Sequence, residues 1–364
     1  MEWLIILAAA LAVALLCLIY LMFCVGRFSF VQSISKGRKW IRRAASFAVL
    51  AVLFAVLSLT LTLINAVIVF MHLAAFFLLF ELLSLLIRRL SKKNVRFDLT
   101  GWSAVLLCVV YLSAGYYLCH NVWQKDYTLT TDKELGSLKI ALIADSHLGA
   151  VFDGEGFARR LEKIKEQSPD LLVIAGDYVD DGSNREDMIT SCEALGRTNF
   201  PYGVWFAYGN HDEGYFNDRD FSVQDLENTL RENGVHVMED SYEVVDDRFI
   251  IAGRRDISLG ERADMDTLLS GADTDKYIIV IDHEPNDYDN EAASAADLVL
   301  SGHTHGGQLI PITNFGKWFG MLDRVYGYEN RKGTDFIVTS GIADWEIKFK
   351  TGTRSEYVII TVDG

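Results

Sequence analysis

Residues 298–307 read LVLSGHTHGG, a short apolar run followed by two histidines that flank one threonine among glycines. Alternate residues of an extended chain share a face, so His303 and His305 can aim both imidazoles into one site where a strand ends. Taken alone the pair is ambiguous, because histidine is also a common hydrogen-bonded surface residue. The rest of the chain has to decide.

Four further apolar runs end in the same manner. Residues 138–144 lead into Asp145-Ser-His147, and 171–175 into Gly176-Asp177-Tyr-Val-Asp180. Residues 204–208 lead into Gly209-Asn210-His211-Asp212, and 277–281 into Asp282-His283-Glu-Pro285. Runs of this length, with helical patterns at 156–167 and 223–232 between them, predict strands buried on both faces in an α/β domain. Ligand-binding loops of such sheets gather beyond the C-terminal ends of the strands. Of eight histidines, His147, His211, His283, His303 and His305 stand there beside acids or glycines, whereas His72, His120 and His236 do not. That placement points to a metal site of nitrogen and oxygen donors.

The ordered set D-x-H, G-D-x-x-D, G-N-H-D, H and G-H-x-H resembles the calcineurin-like metallophosphoesterases, from about residue 138 to the C-terminus. The apolar segments ahead of it, and GHTHGGQ followed by Pro311, look most like the membrane-anchored branch of that superfamily. The resemblance implies an α/β fold, a four-layer αββα sandwich with a dinuclear metal centre at one end. Carried onto this sequence, it makes Asp145, His147 and His305 ligands of one metal and Asn210, His283 and His303 ligands of the other, with Asp177 bridging. His211 would act in catalysis beside the metals with Asp212 as its orienting partner, and Asp180 would stand behind the ligands. Two cations about 3.5–4 Å apart lower the pKa of a bridging water and clamp the oxygens of an in-line displacement. His211 would then stabilise the transition state, imidazolium-like near phosphate, or protonate the leaving oxygen. The donor set suits Mn²⁺, Fe or Zn²⁺, and the resemblance favours Mn²⁺. The stretch GIADWEIKFKTGTRSEYVIIT, residues 341–361, resembles the final loop and strand of that branch but lacks its proline-rich turn, which leaves the pocket shape open.

The first third of the 364-residue chain is of another kind. Residues 2–25 are charge-free after Glu2, 44–86 are almost continuously apolar, and 102–118 form a further apolar segment. A bilayer needs about 20 apolar residues per helix, so these predict four membrane helices, with a tight turn near 65–72 splitting the long run. The organisation expected is an α-helical four-span membrane domain over 1–120, a linker over 121–137 and the metallophosphoesterase domain over 138–364. Eleven Lys and Arg lie in the first and third loops of the membrane domain, and the turn between the second and third helices has none. The positive-inside rule therefore puts both basic loops in the cytoplasm, and the N-terminus and catalytic domain outside it. A cleaved signal peptide fits poorly, because no basic segment precedes the first apolar run. Glu81 within a span is either functional or paired within the bundle.

Charge divides with the domains. Against the eleven basic residues of 1–120 stand three acids, whereas the remainder holds 23 basic and 46 acidic residues. So acidic a domain excludes nucleic-acid binding through its general surface. Cys17, Cys24 and Cys108 lie in apolar spans, Cys119 at a boundary and Cys192 alone, which excludes a disulfide framework or a cysteine zinc site within the domain. Between 311 and 328 Phe315, Trp318, Phe319, Met321, Leu322, Tyr326 and Tyr328 gather around Lys317 and Arg324, either as a small local core or as a membrane-facing lip. The lip makes the bilayer the partner and a lipid-linked phosphoester or pyrophosphate the leading substrate class. The alternatives are a hydrolase of soluble phosphodiesters or nucleotides, and a non-catalytic metal-containing receptor or scaffold. A scaffold is expected to have lost ligands or His211, and here all are present.

Overall fold

The computed structural model describes residues 2–216 and 218–364. The chain divides into two units, residues 1–115 and 116–364.

The first unit is helical: α1 (Glu2–Val25), α2 (Ser29–Ser35), α3 (Lys39–Thr60), α4 (Leu63–Ser91) and most of α5 (Phe97–His120). By length and composition α3, α4 and α5 can each cross a membrane, and a fourth span is added if residues 11–25 and α2, bent by 76°, count as one. The turn between α3 and α4 falls at residues 61–62, earlier than the expected 65–72. Thr62 explains the shift: its hydroxyl accepts the Asn65 N–H and the Asn65 side-chain amide, capping α4 and drawing Asn65 into the helix. Glu81 pairs with Arg27, which is the reading of a bundle ion pair rather than a functional acid.

In the second unit, β2 (Ser137–Ile143), β3 (Leu171–Ala175), β4 (Val204–Ala207) and β5 (Val235–Met238) run parallel in one six-stranded sheet of order β1-β12-β2-β3-β4-β5. Strand β12 (Ser355–Asp363) lies antiparallel to β2, and β1 (Val122–Thr130) forms the edge beside it. The second six-stranded sheet has the order β10-β11-β9-β8-β7-β6. Its parallel centre is β7 (Phe249–Gly253), β8 (Tyr277–Ile281), β9 (Leu298–Ser301) and β11 (Thr334–Val338), with β6 (Ser241–Val245) and β10 (Gly327–Arg331) antiparallel at the edges. Residues 121–137, expected as a linker, thus contribute β1 to the sheet. The strand VWQKDYTLT has one buried residue in nine, so its polar sequence hid a pairing made almost entirely by backbone.

The period of two assigns each strand's side chains to two cores. Leu171, Val173 and Ala175 of β3 join Trp205, Ile251, Ile279 and Leu300 between the sheets, while Leu172 and Ile174 face Phe157, Leu161 and Leu195 of α6 (Gly154–Lys165) and α7 (Arg185–Arg197). Helix α8 (Val223–Glu232) covers the same outer face through Leu226 and Leu230. On the far side Ile250, Ile278 and Phe336 pack against α9 (Met265–Leu268) and α10 (Tyr288–Glu291). The result is helix, sheet, sheet, helix, the expected αββα layering. Each fully buried Leu, Ile or Val contributes roughly 1.5–3 kcal/mol, so the strands are held by both faces and their ends are fixed as rigid platforms for the turns that follow.

Candidate metal centre

Those turns carry the chemistry. Side-chain donors of Asp145, His147 and His305 lie within 4.8 Å of one another, and so do those of Asp177, His283 and His303. The two groups meet at Asp177, whose Oδ2 is 3.1 Å from His283 Nε2 and 3.6 Å from His147 Nε2. Asn210 Oδ1 closes the second group, 2.8 Å from His303 Nδ1 and 3.2 Å from His283 Nε2. The chain brings together all seven residues expected as ligands.

The backbone is bent to do this. Asp145, His147, Asp177, His303 and His305 all take left-handed conformations, with φ between 36° and 68°. Such positions cost non-glycine residues of order 1–3 kcal/mol each. Turn-to-turn hydrogen bonds hold them: Asp145 N donates to Gly176 O, His147 N to Asp177 O, and His303 N to Asp145 Oδ1 at 2.9 Å. Gly176 is needed for close approach, because a Cβ there would stand 2.5 Å from His283 Nδ1.

Asp145 Oδ2 and His147 Nε2 are buried without a hydrogen-bond partner. Buried polar atoms are rarely left so. Carboxylate and imidazole lone pairs converging without partners fit divalent cations bound by oxygen and nitrogen. The potential at the two groups favours positive charge. Burial favours neutral side chains, yet at His283 the Asp177 charge outweighs burial and raises the imidazole well above its usual range, while the same contact holds Asp177 well below the carboxylate range. Burial, then the neighbouring His283, push His303 down to about 3, leaving a neutral imidazole suited to coordination.

Asp180 stands behind the ligands as expected, its Oδ2 3.3 Å from His147 Nδ1. A carboxylate at the far nitrogen of a ligating histidine fixes its tautomer and orientation. Asp180→Asn is expected to raise the Mn²⁺ concentration for half-maximal activity by 10- to 100-fold. A metal titration of hydrolysis checks it, and an unchanged midpoint would remove Asp180 from the centre.

His211 projects beside both groups, with its ring 4.9 Å from that of His147, 5.1 Å from Tyr215 and 5.7 Å from Trp345. Burial lowers its pKa, with Asp177 opposing. Asp212 does not orient it, which corrects the sequence expectation. Its two oxygens instead accept backbone N–H groups of Asp177, Tyr178, Val179 and Gly209 at 2.7–3.0 Å. Two tight turns bury these donors together, and a carboxylate is the acceptor that satisfies them all.

Sequence reasoning missed a second support. Asp344 Oδ1 lies 2.9 Å from His305 Nδ1, and Asp344 Oδ2 lies 3.3 Å from both Lys350 Nζ and Cys119 Sγ. The pair sits in DWEIKFK, where no spacing separates a buried ion pair from a solvated face; only the fold brings it under His305. Cys119 belongs to the last turn of α5, so that turn is two side chains from the centre. Tyr215, whose hydroxyl accepts from Asn210 Nδ2 at 2.7 Å, was missed as well.

The rim is apolar. Residues 305–325 leave the metal turn and return to it, where Thr304 Oγ1 donates to Val325 O. On this excursion Trp318 is 69% and Phe319 67% exposed, and Ile310, Ile312, Phe315 and Met321 are exposed too. Tyr215 and Trp345 add further exposed rings beside His211, and Tyr215 touches Asn210 as well. Although Phe315 and Phe319 touch at 4.4 Å, α11 (Phe315–Trp318) buries no residue, so the segment is not a closed local core.

A two-sheet α/β sandwich with clustered acids, imidazoles and an amide at its strand ends defines a metal-dependent phosphoester hydrolase. The family model described as calcineurin-like phosphoesterase matches residues 138–307. An uncharacterized metallophosphoesterase of Aquifex aeolicus is 30% identical over 256 residues, covering 65% of this chain and 90% of that one. A relative from Campylobacter jejuni with the same description is 27% identical over 304 residues, 79% of this chain and 77% of the other. A transmembrane protein with metallophosphoesterase domain from Danio rerio is 30% identical over 251 residues, covering 63% of this chain and 54% of that protein. The chain thus spans about half the length of the Danio rerio relative. It belongs to the calcineurin-like metallophosphoesterases, and with its long apolar helices it is a membrane protein.

Proposed function

We propose that this chain hydrolyses a phosphoester or pyrophosphate bond of a lipid-linked or envelope-linked substrate, using two divalent cations, Mn²⁺ first, at an extracytoplasmic catalytic domain. The observation that carries the reading is the run of exposed aromatic residues in the segment that follows the metal turn, with Tyr215 and Trp345 beside His211, together with the contact of Cys119 in the last turn of α5 with Asp344 beneath His305. Aromatic side chains favour the lipid–water interface.

Asp145, His147 and His305 would hold one cation, Asn210, His283 and His303 the other, with Asp177 between. When bound, the cations supply neutralisation of phosphate charge and activation of the attacking water. The chain's own residues do the rest. Asp180 and Asp344 fix the His147 and His305 rings. His211, held over the centre by a backbone N–H to Asp177 Oδ1, presents its ring to the phosphoryl group and delivers a proton to the leaving oxygen. Trp318, Phe319 and Trp345 exclude water and receive the acyl or prenyl portion of the substrate.

The test uses the detergent-purified chain with Mn²⁺ on a soluble aryl phosphodiester, an aryl phosphomonoester and a panel of phospholipids. The reading expects turnover of at least one lipid, with His211→Ala slower by about 10²–10⁴-fold. Trp318→Ser with Phe319→Ser is expected to lower kcat/KM about tenfold on the lipid and to leave the aryl esters within twofold. Turnover of aryl esters alone, indifferent to the rim, would sink the lipid assignment and leave a hydrolase of soluble esters.

A further inference from the structure

A second polar site lies on the same unit, outside the metal centre. A cavity of about 320 Å³ is lined by Tyr117 and His120 from the last turn of α5, Trp123 at the start of β1, and Arg159, Arg160 and Lys163 on α6. Arg159 and Lys163 are one helical turn apart and share a face, both exposed, and neither makes an ion pair among the described residues. Arg160 stacks over Phe152 at 4.2 Å and donates from Nη1 to Gly156 O at 2.9 Å, while its buried Nε has no partner. Burial, then the charge of Arg159, lower the Arg160 pKa, with the charge of Asp153 opposing. Three clustered cations, none in an ion pair among the described residues, are out of character in a domain where acids outnumber bases by 46 to 23 beyond residue 120. Their company is equally specific: the cavity opens where a helix long and apolar enough to cross a membrane ends, beside Tyr and Trp, the side chains enriched at that depth.

We propose that this cavity binds the phosphodiester headgroup of an anionic phospholipid, with Arg159, Arg160 and Lys163 on the phosphate and Tyr117 and Trp123 against the glycerol and upper acyl chains. The lipid is a bound component that seats the acidic domain on the bilayer at the α5 junction. It remains intact there, so the site does not depend on what the metal centre hydrolyses.

The experiment titrates the full chain in detergent with a fluorescent short-chain phosphatidylglycerol, in an Asp177→Asn background so that turnover cannot contribute. Each Lys or Arg near an anionic headgroup adds about fivefold to binding, so Arg159→Gln with Lys163→Gln is expected to weaken it roughly 25-fold. The same pair placed in the active chain, with aryl-ester hydrolysis retained, reports that the fold is intact. Unlabelled phosphatidylglycerol should displace the probe well ahead of phosphatidylcholine, and inorganic phosphate should not displace it at the same concentration. Undiminished binding by the double variant overturns the site. Displacement by inorganic phosphate as readily as by lipid overturns the lipid source and leaves a site for free anions.

Discussion

Asp177→Asn is expected to reduce metal-dependent hydrolysis by on the order of 10³-fold while the protein stays folded. The expectation rests on position. Asp177 is the carboxylate that reaches both donor groups, through His283 Nε2 at 3.1 Å and His147 Nε2 at 3.6 Å. Asparagine keeps the shape and the Oδ1 acceptor that receives the His211 N–H at 2.8 Å, so the turn survives. It loses the charge. Two cations held a few ångströms apart repel each other, and a shared anionic oxygen offsets that repulsion in a way a neutral amide cannot. On the proposed two-cation reading, bound metal in the Mn²⁺-loaded protein, measured by elemental analysis after gel filtration, should fall from two per chain to one or fewer alongside the rate. Wild-type stoichiometry with a wild-type rate would falsify the bridging assignment; full stoichiometry with a dead enzyme would keep the site and move the role of Asp177 to catalysis.

How much of this was legible before the fold was known depends on what kind of physics each residue obeys. Strands β2, β3, β4, β8 and β9 were readable because burial on both faces leaves continuous apolar runs, and their polar ends were readable because nothing else explains five histidines beside acids and glycines. Helix α8 fell on the expected residues 223–232, where Ser222 and Asp225 form a reciprocal cap. Strand β1 was not readable, since an edge strand with one buried side chain carries no periodic signal. The α3–α4 turn was displaced because a threonine cap outweighs the polarity of Asn65 and His72. Asp212 was assigned the wrong task for a related reason: sequence shows a carboxylate next to His211, but only the fold shows four backbone donors pointing at it. Side chains that satisfy distant backbone leave no local pattern, and the supports of a site are mostly of that kind.

Lys350 is the extreme case, and its removal should have the largest effect on stability. Its ammonium is fully buried, donates to Ser340 O at 2.5 Å and Ala343 O at 3.1 Å, and faces Asp344 Oδ2 at 3.3 Å. Lys350→Met keeps the aliphatic length but removes the cation that faces the buried Asp344 carboxylate, leaving it only His305 Nδ1 and Cys119 Sγ, and orphans two carbonyls. Breaking a buried pair from one side costs roughly 3–5 kcal/mol, which for a unit of this size corresponds to a fall in Tm of about 10 °C. Replacing both partners, as in Lys350→Met with Asp344→Leu, should recover most of that loss, because no uncompensated charge remains. The double variant should nevertheless stay impaired in hydrolysis, for His305 then has no carboxylate at Nδ1 to hold its ring. Stability and activity thereby separate. Scanning fluorimetry in detergent reads the first and a Mn²⁺ titration of turnover the second. If the double variant regains both, Asp344 is only a counter-ion for Lys350; if it regains stability alone, the buried pair exists to aim a metal ligand, and the core of the second unit is built around its chemistry.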